Sequence, residues 1–182
     1  MAIARAARDR GGDVIMVLGP VNDSPDMEGI KIINVVSAAE MADKTQQYFK
    51  NADVIVLAAA VADYKPGSAP GTKIKKNKEG LTVKLEPTVD IAARLGSLKR
   101  QNQLVVGFAL ETDNELDNAL KKMNSKKLDL IVLNSLRDEG AGFRTDTNKV
   151  TLIDKNNNTA AFELKSKSDV ADDILDKIEE ML

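Results

Sequence analysis

The sequence has no cysteine, no histidine and no tryptophan in 182 residues. Without cysteine there is no disulfide and no thiolate nucleophile, and without histidine there is no Ser-His-Asp triad and no Cys/His zinc site. Lysine, carboxylates, side-chain amides and backbone dipoles remain. That set suits reactions whose substrate brings its own nucleophile while the protein supplies charge, position and oxygen ligands for magnesium. Aromatics are few, 4 phenylalanines and 2 tyrosines, so one at a strand end stands out. No apolar run reaches bilayer length, and nothing near the N-terminus combines the basic, apolar and small-residue sections of a signal peptide. The expectation is a single soluble, cytoplasmic domain over residues 1–182, with no membrane partner.

The formal net charge is −2. Lysines and arginines are mostly interspersed with acids, which argues against a nucleic-acid partner. The exception is a segment in which Lys65, Lys73, Lys75, Lys76, Lys78 and Lys84 meet only Glu79, giving a local positive field.

Apolar positions Ala2, Ile3, Ala6 and Ala7 share a helical face that stops at Gly11-Gly12. Val14–Leu18, Ile30–Val36, Asp53–Ala60, Leu104–Ala109 and Leu128–Leu133 read as buried strands. Helices are expected between them: from the capping box Ser37/Glu40 to about Lys50, over Asp90–Lys99, and from about Glu115 to Lys127. This alternation predicts an α/β fold, a doubly wound, Rossmann-like, mostly parallel sheet. Residues 62–79 lose the pattern and read as a long loop, and Leu81, Val83 and Leu85 alternate as a half-exposed strand closed by Pro87. Val150–Ile153 and Ala160–Leu164 flank three asparagines as a C-terminal β-hairpin, and a last helix follows Ser168.

Ligands of open α/β sheets bind beyond the carboxyl ends of the strands. The small side chains Ala58 to Ala60, with Asp63 just beyond, would let a flat ring approach the backbone and find an acceptor. They equally allow close helix–sheet packing and a turn. Lys73, Lys75 and Lys76 suit a polyphosphate or are solvated loop charge. Lys122, Lys126 and Lys127 lie on one helix and form its solvent face unless its last turns bend toward the site. Phe108 could stack on a base or fill the core. Glu111 and Asp113 are either first-turn helix carboxylates or magnesium ligands.

Taken together, Ala58 to Tyr64, Lys73-Ile74-Lys75-Lys76, Gly107 to Thr112, Leu128-Asp129-Leu130-Ile131 with Asn134, and Gly142-Phe143 with Asp146 and Asn148 resemble the phosphopantothenate-cysteine ligase domain of the bacterial bifunctional coenzyme A biosynthesis flavoprotein. The order of these motifs matches along the whole chain. The resemblance implies coupling of 4′-phosphopantothenate to cysteine through an acyl-cytidylate made from CTP, with magnesium and without an enzyme nucleophile. It implies nucleotide contacts from Leu57, Ala58, Ala59 and Asp63, from Val89, Asp90, Ile91 and Ala92 at a helix start, and from Phe108, Lys122 and Lys126. Lys73 would be the catalytic lysine on a lid over the phosphates, and Asn134 a strand-end amide in the catalytic set. A homodimer is also implied, with the Leu81–Leu85 strand and the late hairpin as candidate contacts.

Family members begin with a strand, a glycine-rich turn and an asparagine-bearing segment that have no counterpart before the first helix here. The expectations are therefore an N-terminally truncated ligase domain, uncovered apolar strand edges, and no FMN site. Two rivals are a Rossmann oxidoreductase using NAD(P), disfavoured because no Gly-x-Gly-x-x-Gly follows a strand, and a non-catalytic nucleotide-binding or dimerising module.

Overall fold

A computed structural model describes residues 1–21, 27–68, 71–75, 80–135 and 145–182. The chain begins with α1 (Ala2–Asp9), β1 (Val14–Leu18), β2 (Ile30–Asn34), α2 (Ala38–Phe49) and β3 (Val54–Leu57). A short ribbon of β4 (Tyr64–Pro66) and β5 (Leu85–Pro87) follows, then α3 (Ile91–Leu98), β6 (Leu104–Glu111), α4 (Glu115–Lys126) and β7 (Leu130–Ser135). The last part comprises β8 (Thr147–Asn148), β9 (Val150–Asp154), β10 (Thr159–Ala161), β11 (Lys165–Ser166) and α5 (Lys167–Met181).

The main sheet has the order β10-β9-β7-β6-β3. It is parallel across β3, β6 and β7 and antiparallel at β9 and β10. β1 and β2 form a separate parallel pair. Alternation along each strand sends side chains to two cores. Ile55, Val105, Ile131 and Ile153 meet α2, α3 and α4 through Phe49, Leu95 and Met123. Val106, Leu130, Val132 and Leu152 meet α5 through Val170, Ile174 and Ile178, and α1 packs beside them through Ile3, Ala6 and Ala7. Helices thus cover both faces, as the expected doubly wound α/β architecture requires.

Local chemistry explains most boundaries. The C-terminus of α1 is closed by Gly11 N–H to Arg8 O and Gly12 N–H to Ala7 O, 2.8 and 2.9 Å, with Gly11 at φ +86°; this is the Schellman pattern that glycine permits. α2 starts at the expected cap: Ser37 Oγ accepts from Glu40 N–H at 3.2 Å, while Glu40 Oε2 accepts at 2.9 Å from Val36 N–H, one residue before the N–H that a capping box uses.

Several boundaries move. β3 ends at Leu57, so Ala58–Ala60 lie outside the sheet and are exposed. β6 runs on to Glu111 and β7 to Ser135, because those two strands continue to pair with each other past the apolar run. The strand expected over Leu81–Leu85 does not form: residues 81–84 lie outside any strand, and β5 starts only at Leu85, with Pro87 inside it opposite Tyr64 rather than after it; a two-stranded ribbon tolerates the missing N–H. The cap of α5 is Ser166, which accepts from Asp169 N–H at 3.1 Å, not Ser168. The strand expected over Ile30–Val36 stops at Asn34.

The β9–β10 hairpin is tied at its turn by Asp154, which is 4% exposed. Its carboxylate accepts from the N–H groups of Asn156 and Asn158 and from the Asn158 side chain, at 2.9, 3.0 and 3.0 Å. Burial alone would raise its pKa, but these donors together with Lys177 hold it below the ordinary carboxylate value. The folded state therefore binds this proton more weakly than the unfolded chain. The stabilisation is complete above the unfolded value of about 3.9 and is lost as pH falls through the lower folded value. Asp154→Asn is expected to cost about 2 kcal/mol at neutral pH, because an amide NH2 would face Lys177 and the Asn158 amide. Urea unfolding at pH 7 and pH 3 checks this; the gap between variant and wild type should narrow at the lower pH.

Candidate active site at the carboxyl ends of the sheet

At the end of β3 the chain leaves the sheet through Ala58, Ala59 and Ala60, and Val61 packs back on the core shared by α2, α3 and α4. Asp63 follows, exposed, immediately before β4. The return strand β5 ends at Pro87, and Thr88 closes the ribbon: its N–H donates to Asp63 O at 2.8 Å and its hydroxyl to Ala62 O at 2.6 Å. Val89 and Asp90 then lead into α3. The alanine-rich strand end and the helix start, far apart in sequence, are thereby neighbours.

Asp90 is the cap of α3. Its Oδ1 accepts from Ala93 N–H at 3.0 Å, and its Oδ2 pairs with Lys126 Nζ at 2.9 Å. Partial burial works against ionisation, but the Ala93 N–H and Lys126 outweigh it and hold the carboxyl below its usual range. Two residues implied separately as nucleotide contacts therefore meet. Their contact also defines what each can do: the Asp90 carboxylate is committed to the cap and to Lys126, and Ile91 is buried in the core. Both can serve a ligand only through the backbone. Lys122, half-buried, lies one turn before Lys126 on the same stripe of α4. Of the last turns of α4, the Lys126 side chain reaches the start of α3, while the backbone of that turn packs against the second half of α3 at Gly96. A Cβ on Gly96 would lie 1.9 Å from Lys126 O.

Phe108 and Asn134 fall elsewhere. Phe108 packs with the core covered by α5, on the opposite face of the sheet from α3 and α4. Asn134, on the neighbouring strand opposite Leu110, shares that parity. Among the described residues, the Asn134 Oδ1 is buried without a hydrogen-bond partner. Such an orphaned acceptor calls for a donor. The implied residues thus form two groups, one on the α3/α4 side with Leu57, Ala58, Ala59 and Asp63, the other across the strand ends at Phe108 and Asn134.

Glu111 ends β6, and Asp113 lies before the Asn114 cap of α4, so neither is a first-turn carboxylate; that turn holds Glu115 and Asp117. Glu111 Oε2 and the Asp113 carbonyl accept from the Asn118 amide at 3.4 and 2.9 Å. Among the described residues no three acidic side chains converge into a metal cluster. Lys73 and Lys75 are exposed. Lys76, Lys78, Glu79 and the Gly142-Phe143 pair lie outside the described residues.

The Leu128-Asp129-Leu130-Ile131 motif has a structural cause at the other end of the sheet. Asp129, 3% exposed, precedes β7, accepts from Val105 N–H at 2.9 Å and pairs with Lys99 at 2.6 Å. It locks the amino-terminal ends of β6 and β7. Sequence reasoning missed Thr88 and Gly96. The signal for Thr88 was a hydroxyl residue between a strand-closing proline and a helix cap; for Gly96 it was a glycine inside a helix, a position that costs stability unless close packing needs it.

Fold and site together define a doubly wound α/β domain in which the small-residue end of β3 lies beside the capped start of α3. Residues 1–182 match the family model of the DNA/pantothenate metabolism flavoprotein C-terminal domain, and the chain belongs to that family. It is 51% identical over 178 residues to a cysteine/cysteine sulfinic acid decarboxylase of an unknown prokaryotic organism, covering 98% of this chain and 50% of that protein. It is 40% identical over 177 residues to the coenzyme A biosynthesis bifunctional protein CoaBC of Bacillus subtilis, covering 97% and 43%. The crystal structure of the C-terminal domain of a CoaBC protein superposes with a TM-score of 0.82 at 35% identity, over 99% of this chain and 80% of that one. The chain spans about half the length of the curated relatives it matches. Among the described residues no helix is long and apolar enough to cross a membrane.

Proposed function

We propose that this domain is a phosphopantothenate-cysteine ligase of coenzyme A biosynthesis that uses CTP. The observation that carries the reading is the meeting of the β3 end with the capped start of α3, where Lys126 reaches Asp90 at 2.9 Å. The 4′-phosphopantothenate carboxylate attacks the α-phosphorus of CTP and pyrophosphate leaves; the cysteine amine then attacks the acyl-cytidylate, forming the amide and releasing CMP. Both nucleophiles come from substrates, which agrees with a chain that has neither cysteine nor histidine.

The residue roles follow from position. Leu57, Ala58 and Ala59 present backbone to the nucleotide, and Asp63 accepts from the base or ribose. Val89, Asp90, Ile91 and Ala92 offer main-chain groups at the helix start. Lys122 and Lys126 serve phosphate or base-edge bonds, and Lys73 neutralises charge growing on the phosphates. Phe108 and Asn134, across the strand ends, face the acyl portion, where the orphaned Asn134 Oδ1 can accept an N–H. Magnesium enters with CTP as its phosphate counter-ion, in keeping with an ion commonly held by one or two carboxylates and substrate oxygens rather than a protein cage. Decarboxylation, in the name of one relative, is carried by a protein of which this chain matches 50%. The ribbon exposes Tyr64 and Leu85, at 62% and 55%, and leads into Leu81 and Val83, also exposed. That apolar surface supports a homodimer, and sedimentation showing only monomer at high concentration would contradict it.

The test is product formation. The full-length protein supplied with magnesium, CTP, 4′-phosphopantothenate and cysteine is expected to release pyrophosphate and CMP in equal amounts with the amide product. Release of CDP and phosphate, or no dependence on cysteine, would overturn the reading.

A further inference from the structure

We propose that Thr88 is a positioning residue for the nucleotide: it pins the peptide that carries Asp63 and sets it against the start of α3. The inference rests on the nucleotide-binding reading above and deepens it. The ribbon pairs Tyr64 with Pro87, Lys65 with Glu86 and Pro66 with Leu85. Its outer end is continued by Gly67 N–H to Lys84 O at 3.0 Å, and its inner end by Thr88 N–H to Asp63 O at 2.8 Å. Thr88 then adds a bond the ladder does not require, from its hydroxyl to Ala62 O at 2.6 Å.

Two consecutive carbonyls, those of Ala62 and Asp63, are thus held by one residue. Because the peptide is planar, fixing both oxygens fixes the backbone on either side of the Asp63 Cα, and with it the direction of its Cα–Cβ bond, from which the carboxylate swings. This matters because, among the described residues, no side-chain hydrogen bond or ion pair holds the Asp63 carboxylate itself. Nor does packing set the ribbon angle, since all six residues of β4 and β5 are exposed. An isolated two-stranded ribbon is marginal in water, so the hydrogen bonds at its base decide where it stands.

Two residues beyond Thr88, Asp90 caps α3 and pairs with Lys126. Thr88 therefore joins the acceptor at Asp63 to the cation at Lys126 through a few residues of fixed backbone. Such preorganisation spares the ligand the entropy of ordering the two loops.

Calorimetric titration of magnesium and CTP into wild type, Thr88→Val and Thr88→Ser, with a melting temperature for each, tests the assignment. Valine keeps the branched shape and removes the donor; serine restores the donor. Thr88→Val is expected to weaken CTP about 3- to 10-fold, with the melting temperature within about 2 °C of wild type, as for other surface substitutions. Thr88→Ser should recover most of the affinity. In the Thr88→Val background, Asp63→Asn should cost less than it does in wild type, because the acceptor is already misplaced. Wild-type affinity in Thr88→Val, or serine as weak as valine, overturns the positioning role while leaving the nucleotide reading intact. If wild type itself takes up no CTP, that reading fails, and the role of Thr88 falls with it.

Discussion

Replacing Lys73 by glutamine is expected to lower turnover about 100- to 1000-fold, the range found when one preorganised donor to a developing anion is removed. In the proposed reaction the pentavalent phosphorus and departing pyrophosphate concentrate negative charge, and the chain has no histidine to share it. Lys73 is exposed and packs into neither core, so its loss should leave folding untouched. The variant should melt with wild type and keep its KM for cysteine. Lys73→Arg, which retains charge but not shape, should recover part of the rate. Unchanged turnover in Lys73→Gln, with intact protein, would remove this residue from the site.

Gly96→Ala is expected to cost about 3 kcal/mol of stability, the upper end for an overpacked core position. A new Cβ would lie 1.9 Å from Lys126 O and 3.2 Å from Lys127 O. Both are backbone atoms that cannot rotate away, so α3 and α4 must separate. The intrinsic helix preference of alanine, about 1 kcal/mol over glycine, offsets only a part of the clash. The separation should also pull Lys126 away from Asp90, so CTP affinity should fall along with the denaturation midpoint. A variant as stable as wild type would mean that the two helices are not locked at this point.

The fold was legible because its signals are local. Apolar runs marked β1, β3, β6 and β7, Ser37 capped α2 as expected, and Gly11-Gly12 closed α1. The errors came where pairing overrides hydrophobicity: Leu110, Glu111 and Asn134 extend their strands because each has a neighbour across the sheet. In the ribbon, β4 gave no signal and β5 was expected a few residues early, because both strands are exposed and only contact between distant residues creates them.

The site was legible as a set of residues and not as a geometry. Nothing in the sequence says that Asp90 and Lys126 pair, or that Phe108 and Asn134 lie on the far face of the sheet from α3. Parity along β6 and β7 decides the last point, and it can be counted only once the strand register is known. Asp129 shows the converse: a motif residue whose burial and bond to Val105 N–H explain it without any substrate.

The most direct measurement is amide hydrogen exchange with and without magnesium and CTP. The account predicts protection concentrated at residues 57–63 and 89–93, and weaker protection in the last turns of α4. Protection confined to the α1/α5 side of the sheet, or none at saturating nucleotide, would contradict it.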